Sequence, residues 1–163
     1  MELKDYTIKP FVNFAEDWAI LTAGTMDDFN SMTIAWGGLG TMWGKSVAFL
    51  VVKPTRYTCQ FVQRHTEITV SWYDKKYKKE LASIFGAKSG RDINKAAQSG
   101  FTPKEIAGCV TYAEAAETIV LKKLFMQQLE RDLLPEECLK WYPLGTKEEH
   151  VHYLIIAEVL SIN

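Results

Sequence analysis

The chain has 163 residues, 47% of them hydrophobic and 24% charged, with a formal net charge of −1. That length suits a single domain over residues 1–163, able to bury roughly 70% of its unfolded surface. The near-neutral balance offers no broad basic field for nucleic acid or an anionic membrane.

Residues 1–17 read as an arm leading into a first strand over 18–23. Residues 24–30 (G-T-M-D-D-F-N) read as a turn, because Gly, Asp and Asn favour turn backbone angles. A short strand over 32–36 follows, ended by Gly37, Gly38 and Gly40. The next strand, 46–52, is apolar throughout and is expected to be covered on both faces. Pro54 stops it, since it brings no N–H to a ladder. Thr55 is placed to cap a helix over 56–64, with Tyr57, Phe61 and Val62 facing inward. Residues 65–73 alternate polar with β-branched or aromatic side chains, the pattern of a half-buried strand. Asp74 is expected to cap a helix running to Phe85, with four lysines on its wet side and Gly86 at its end. A second helix is expected from near Asp92 to near Gly100, then one helical turn over 102–105. Strands over 110–112, 117–129 and 150–162 complete the chain, the last two joined by a polar loop or short helix over 130–149. Strands and turns in this order suggest an antiparallel barrel or sandwich. Both alternating sets of the final strand contain apolar residues. This fits one face in the core and the other against a subunit partner, with burial of both within one barrel as the alternative.

Cys59, Cys109 and Cys138 are odd in number and include no C-x-x-C pair, which argues against a disulfide framework and a cysteine zinc site. The start, M-E-L-K-D-Y, carries an early acid and no apolar segment, so no secretory signal is expected. The longest apolar runs are too short to span a bilayer. A cytoplasmic protein is the expectation.

The chemistry concentrates in residues 30–58. N-S-M-T-I-A-W-G-G-L-G, from Asn30 through Ser31, Met32, Thr33 and Trp36, pairs small residues with an indole. Small residues let main chain approach a flat ligand, and the indole supplies a wide apolar face. The same composition also suits a turn above an ordinary core. K-P-T-R-Y-T then places Lys53 and Arg56 around a Pro-Thr turn, with Tyr57 and Thr58 behind. Cations beside a helix start suit a phosphate. A second basic cluster, K-S-G-R-D-I-N-K, contains Ser89, Gly90 and Lys95. Its Ser-Gly main chain can offer free N–H groups at the start of the following helix, with Asp92 as cap; a plain capped helix is the alternative. His150 and His152, two apart on an expected strand, share a face, which suits either an ordinary strand surface or two metal ligands, with only Glu148, Glu149 or Glu158 as scattered third ligands. No Walker loop, G-x-G-x-x-G fingerprint or G-x-S-x-G elbow is present.

The segments L-T-A-G (21–24), N-S-M-T-I-A-W-G-G-L-G (30–40), K-P-T-R-Y-T (53–58), K-S-G-R-D-I-N-K (88–95) and Y-A-E-A (112–115) occur in order, followed by H-x-x-I-I-A-E-V (152–159). Together they resemble the flavin reductase-like, FMN-binding split-barrel family, in particular its flavoredoxin-like branch. Lys53 stands where that pattern often carries arginine, and Ile155 where it often carries tyrosine. The resemblance implies a mainly β, α+β chain folded as a Greek-key split β-barrel that dimerises and holds FMN non-covalently near the subunit interface. It implies that Asn30, Met32, Thr33 and Trp36 line the flavin ring and ribityl chain. Lys53, Arg56 and Thr58 would hold the phosphate, with Ser89, Gly90 and Lys95 closing over it and Ser31 and Tyr57 completing the set. The expected activity is hydride or electron transfer through FMN, with NAD(P)H or a redox partner protein as donor and no protein acid or base required. A flavin-binding module without turnover is the alternative, and a metal-dependent barrel using the two histidines a third.

Overall fold

The computed structural model describes residues 2–163; Met1, within the expected arm, lies outside them. Nine strands and several short helices form a seven-stranded antiparallel sheet in the order β2-β1-β5-β8-β9-β4-β3, with β6 and β7 as a separate hairpin. The strands are β1 Ala19–Thr25, β2 Asp28–Ile34, β3 Gly37–Met42, β4 Lys45–Val52, β5 Glu67–Trp72, β6 Pro103–Ile106, β7 Cys109–Tyr112, β8 Glu117–Gln128 and β9 Tyr153–Ile162. The two edge strands of the large sheet, β2 and β3, are consecutive in the chain, joined only by Ala35 and Trp36. Two linking residues span about 11 Å at most, so the sheet must curl until its edges nearly meet. The result is a barrel with an open seam between β2 and β3, and Trp36 stands on that seam.

The interior side of the sheet follows the two-residue period. Leu21, Met32, Leu50, Val70, Leu121, Ile155 and Ala157 share one core with Phe61 and Val62 of the Tyr57–Arg64 helix. The helix closes the barrel with its buried stripe Thr58, Cys59, Phe61 and Val62. A second core lies outside the sheet, where Ile20, Leu81, Phe85, Phe101 and Tyr112 meet beneath the helical stretch 75–86 and the Lys95–Ser99 helix. β1 is therefore buried on both faces, which accounts for its apolar run. Buried hydroxyls pair between β1 and β2 and among β5, β7 and β8: Thr22 with Ser31, and Ser71 with both Thr111 and Thr118, at 2.8–2.9 Å.

Several expected elements differ. The turn expected over 24–30 shrinks to Met26 and Asp27, since β1 and β2 stay paired from Ala19↔Ile34 to Thr25↔Asp28. Gly24 and Asn30 are strand residues. Gly24 is needed there because a Cβ would collide with the main chain of Asp28 and Phe29. Gly37, Gly38 and Gly40 do not end a strand but begin β3. A Cβ at Gly37 would come 2.8 Å from the Phe14 ring, and one at Gly40 would come 3.2 Å from Phe49. Bare main chain at the edge thus makes room for aromatic rings, a use of glycine that composition alone reads as a loop. Residues 103–106 are strand rather than helical turn, with Pro103 in the first strand position, where its missing N–H costs no ladder bond.

Neither Thr55 nor Asp74 caps a helix: the Tyr57–Arg64 helix has Arg56 at its N-cap, and no side chain caps it or the turn after Asp74. The helix expected from Asp92 starts at Lys95, and its cap is Asn94, whose side chain accepts from the Ala97 N–H at 3.0 Å. β9 begins at Tyr153, so His150 and His152 precede it and share no strand face. Among the described residues no helix is long and apolar enough to cross a membrane, and no group of three or more His, Cys, Asp or Glu gathers to hold a metal.

Candidate functional site

Two adjoining cavities open at the barrel seam. The smaller, about 240 Å³, is a slot walled by Met32, Ile34, Trp36, Val51, Trp141 and His152, with Lys53, Arg56 and Glu148 at one end. The larger, about 460 Å³, is polar; Arg56, Lys88, Arg91, Lys95 and Lys147 line it together with Thr55, Thr58 and Ser89. Met32, Arg56 and Glu148 line both, so an apolar slot runs into a cationic chamber. A chamber of about 460 Å³ lies within the ordinary range for small-ligand sites, about 300–1,000 Å³.

β2 supplies Asn30 to Thr33 in alternation. Asn30 faces the capping helix, and its Nδ2 donates to Thr58 Oγ1 at 2.8 Å. Ser31 faces the opposite way and spends its hydroxyl on Thr22 and Tyr112, both at 2.8 Å. Thr33 Oγ1 donates to Leu81 O at 2.6 Å. Gly90 lies directly over the Asn30 amide: a Cβ there would overlap Oδ1 and come 2.8 Å from Cγ. Ser89 Oγ accepts from the Arg91 N–H at 3.2 Å, shaping the tight loop before Asn94. Arg91 in turn lies over the Tyr57 ring at 4.8 Å.

The cations are held in different ways. Lys95 is buried, and its ammonium donates to Ser31 O at 2.8 Å and Phe85 O at 3.0 Å. An ammonium has three donors, so one is left over, and Lys95 lines the chamber. Burial first, and the Arg56 charge second, lower its pKa from 10.5 to about 8. Arg56 Nη1 donates to Gly86 O at 3.0 Å, leaving most of its guanidinium fork free. Lys53 is buried against Glu148, which accepts from it through both its carboxylate and its carbonyl, and lies 5.4 Å from the centre of the Tyr142 ring. The hydrogen bond from Lys53 holds the Glu148 carboxyl below its usual pKa. Lys53 is thus already neutralised, while among the described residues no carboxylate bonds to Arg56 or Lys95, although Glu148 lies near enough to feel the Arg56 charge. That donor set fits a bound phosphate, which would satisfy both charges.

Of the residues singled out from sequence, the slot gathers Met32, Thr33, Trp36 and Lys53. The chamber gathers Met32, Tyr57, Thr58, Ser89, Gly90 and Lys95, and Arg56 serves both. Asn30 and Ser31 line a third cavity of about 500 Å³, which shares Tyr57, Gly90, Arg91 and Lys95 with the chamber. Sequence reasoning passed over Arg91 and Lys88, although both lie within K-S-G-R-D-I-N-K. It also passed over Trp141 and Tyr142, because residues 130–149 read as a polar connection, and it weighed Glu148 only as a third ligand to a metal. The adjacent Trp141 and Tyr142 were the available signal. Trp141 meets Trp36 edge to face at 5.2 Å.

No protein-family model matches the chain, and no curated protein matches it. Solved structures do. Flavoredoxin from Methanosarcina acetivorans superposes with a TM-score of 0.68 at 14% identity, over 100% of this chain and 73% of that one. An FMN-binding domain of a flavin reductases-like enzyme from Shewanella baltica gives 0.65 at 17%, over 93% and 70%. The styrene monooxygenase flavin reductase from Pseudomonas putida S12 gives 0.64 at 18%, over 90% and 78%. At such identities the likeness is one of architecture: this chain has the split-barrel fold of flavoredoxin and the flavin reductase-like FMN-binding proteins.

Proposed function

We propose that the chain binds FMN in the joined slot and chamber and passes reducing equivalents through it. The observation that carries this reading is the continuity of a flat aromatic slot with a cationic chamber, sharing Arg56 at the junction. Trp36, Met32 and Val51 would wall the ring and keep water from it. Arg56, Lys95 and Arg91 would hold the phosphate, with the Thr58 hydroxyl and the Ser89–Gly90 main chain beside them. β2 is an edge strand, and the Ser31 carbonyl turns off that edge toward Lys95. By the alternation of antiparallel ladders, the N–H groups of Ser31 and Thr33 point off the same edge and are free to meet a polar ring edge. FMN, when bound, supplies the hydride and one-electron chemistry; the protein supplies the hold and the dry wall.

A second copy of the chain would complete the slot. Phe49, Ile156 and Phe125 are in register on the outer face of β4, β9 and β8, and Leu160 lies further along β9; Phe125 and Leu160 are 37% and 43% exposed. Val51, one alternation from Phe49 on the same face, lines the slot. A partner laid on this face would border the flavin. Phe125→Glu is expected to halve the mass seen by light scattering; an unchanged mass would remove the homodimer from the proposal.

The direct test is purification with FMN followed by anaerobic titration. Bound flavin with NAD(P)H-driven bleaching supports a reductase. Bleaching only by a reduced ferredoxin-type protein supports an electron carrier, and stable FMN binding with no reduction by either supports a flavin-binding module. Absence of FMN binding overturns the reading.

A further inference from the structure

Tyr142 and His152 form a pair to which the flavin site gives no task. Tyr142, from the connection between β8 and β9, is buried, and its hydroxyl lies 2.7 Å from His152 Nδ1. Among the described residues no other side chain bonds to that hydroxyl. A buried hydroxyl keeps its donor satisfied, so the phenol donates to Nδ1, and the neutral imidazole carries its proton on Nε2. The ring lines the apolar slot, 5.1 Å from the Trp36 ring. Among the described residues Nε2 bonds to no protein atom, yet it is not sealed in; the sealed, unpartnered side-chain atoms among them are Tyr73 Oη and Glu80 Oε2. The charged groups around the imidazole are Lys53, Arg56 and Glu148. Burial, then the two cations, lower its pKa to about 4, against a smaller opposing effect of Glu148, so the ring is neutral near pH 7.

Resting on the flavin assignment of this slot, we propose that Tyr142 is a positioning residue. It fixes His152 Nε2–H as the hydrogen-bond donor to the carbonyl oxygen of a planar redox partner entering beside Trp36. A neutral N–H selects a carbonyl by hydrogen bonding, not by charge. The carbonyl has two possible sources: the carboxamide of a nicotinamide donor, or the conjugated carbonyl of an acceptor such as an aromatic aldehyde, enone or quinone.

The test pairs p-hydroxybenzaldehyde with p-cresol, which has the same flat ring and no carbonyl, and adds a redox-inert tetrahydronicotinamide dinucleotide as a third ligand. Binding is followed by tryptophan fluorescence in flavin-free protein and by flavin absorbance in FMN-loaded protein. The wild type is expected to prefer the aldehyde by about two- to ten-fold, the range of one hydrogen bond. His152→Leu should remove that preference, and His152→Gln, which keeps an N–H, should restore part of it. The isosteric Tyr142→Phe should reduce the preference while leaving p-cresol unchanged, whereas simple loosening of the fold would weaken both. Nitrogen-15 NMR of the flavin-free protein should show His152 protonated on Nε2, with the tautomers mixed in Tyr142→Phe. In His152→Leu, loss for the aldehyde alone identifies an acceptor, and loss for the dinucleotide alone identifies a nicotinamide donor. Loss for neither, or a proton found on Nδ1 in the wild type, overturns the proposal. FMN affinity is measured in each variant, so failure of the flavin reading is seen separately from failure of this one.

Discussion

Arg56→Ala is expected to weaken FMN binding by about 1.5–3 kcal/mol, the worth of a charge-assisted hydrogen bond, which is roughly ten- to a hundred-fold in Kd. Riboflavin, which lacks the phosphate, should lose far less. The guanidinium lines both slot and chamber and is tied to the protein by one bond, to Gly86 O. Its removal therefore deletes a ligand contact without stranding a buried charge. Lys95 cannot be tested as simply, because truncation would leave Ser31 O and Phe85 O without their shared donor. Its contribution should appear in the pH profile. With its pKa at about 8, FMN affinity should fall as pH rises through that value, while riboflavin affinity stays level. The same shift acts on the flavin-free fold. Between about pH 8 and 10.5 the unfolded chain holds a proton on Lys95 that the folded chain has released, so this group makes stability rise with pH across that window. Phosphate binding would reverse the trend, since a bound anion favours the charged amine. Equal losses of FMN and riboflavin in Arg56→Ala, with no pH dependence specific to FMN, would show that neither cation touches a phosphate.

The parts of the fold that could be read from sequence are those where one physical effect dominates. The runs in β1, β4, β8 and β9 are apolar because the barrel core and its covering layers demand it, and their positions were foreseen to within a few residues. Glycine misled at four places, Gly38 among them. Gly24, Gly37 and Gly40 lie in strands because neighbouring main chain or aromatic rings press too close for a Cβ, and such closeness is a tertiary fact. Asp92 and Asn94 are near-equal as caps by propensity; the turn closed by the Asp92 N–H on Ser89 O moves the helix start to Lys95. At the seam, the residues near Asn30 and Arg56 stood out because small, aromatic and cationic groups recur at short spacing. Trp141 and Tyr142 did not, and Glu148 was weighed only as a metal ligand, since nothing in a charged connection announces that it folds back across 95 residues to reach Lys53. Even Lys53, expected from sequence to hold the phosphate, has its charge answered within the chain by Glu148, which leaves Arg56 and Lys95 as the cations for the proposed phosphate.

Gly90→Ala should damage both the fold and the site, destabilising the protein by about 2–4 kcal/mol and weakening FMN in parallel. The new methyl would overlap Asn30 Oδ1, with Cγ at 2.8 Å and Nδ2 at 3.1 Å. Asn30 cannot step aside freely: its amide is buried and holds Thr58 Oγ1 at 2.8 Å, and Thr58 is itself buried on the capping helix. Yielding means breaking that bond or lifting the loop that carries Ser89 and Arg91. The cause can be separated from a general intolerance of alanine at this position. Asn30→Ala removes the atoms that would be struck, at the cost of one hydrogen bond. If steric overlap is the mechanism, Gly90→Ala made in the Asn30→Ala background should cost far less than it does alone, with a coupling of about 1–3 kcal/mol. Urea denaturation of the four proteins measures it. Additivity within about 0.5 kcal/mol would place the need for glycine in the loop's own backbone instead, and the Asn30–Gly90 contact would then be a neighbour of the chamber without being the strut that holds its wall in place.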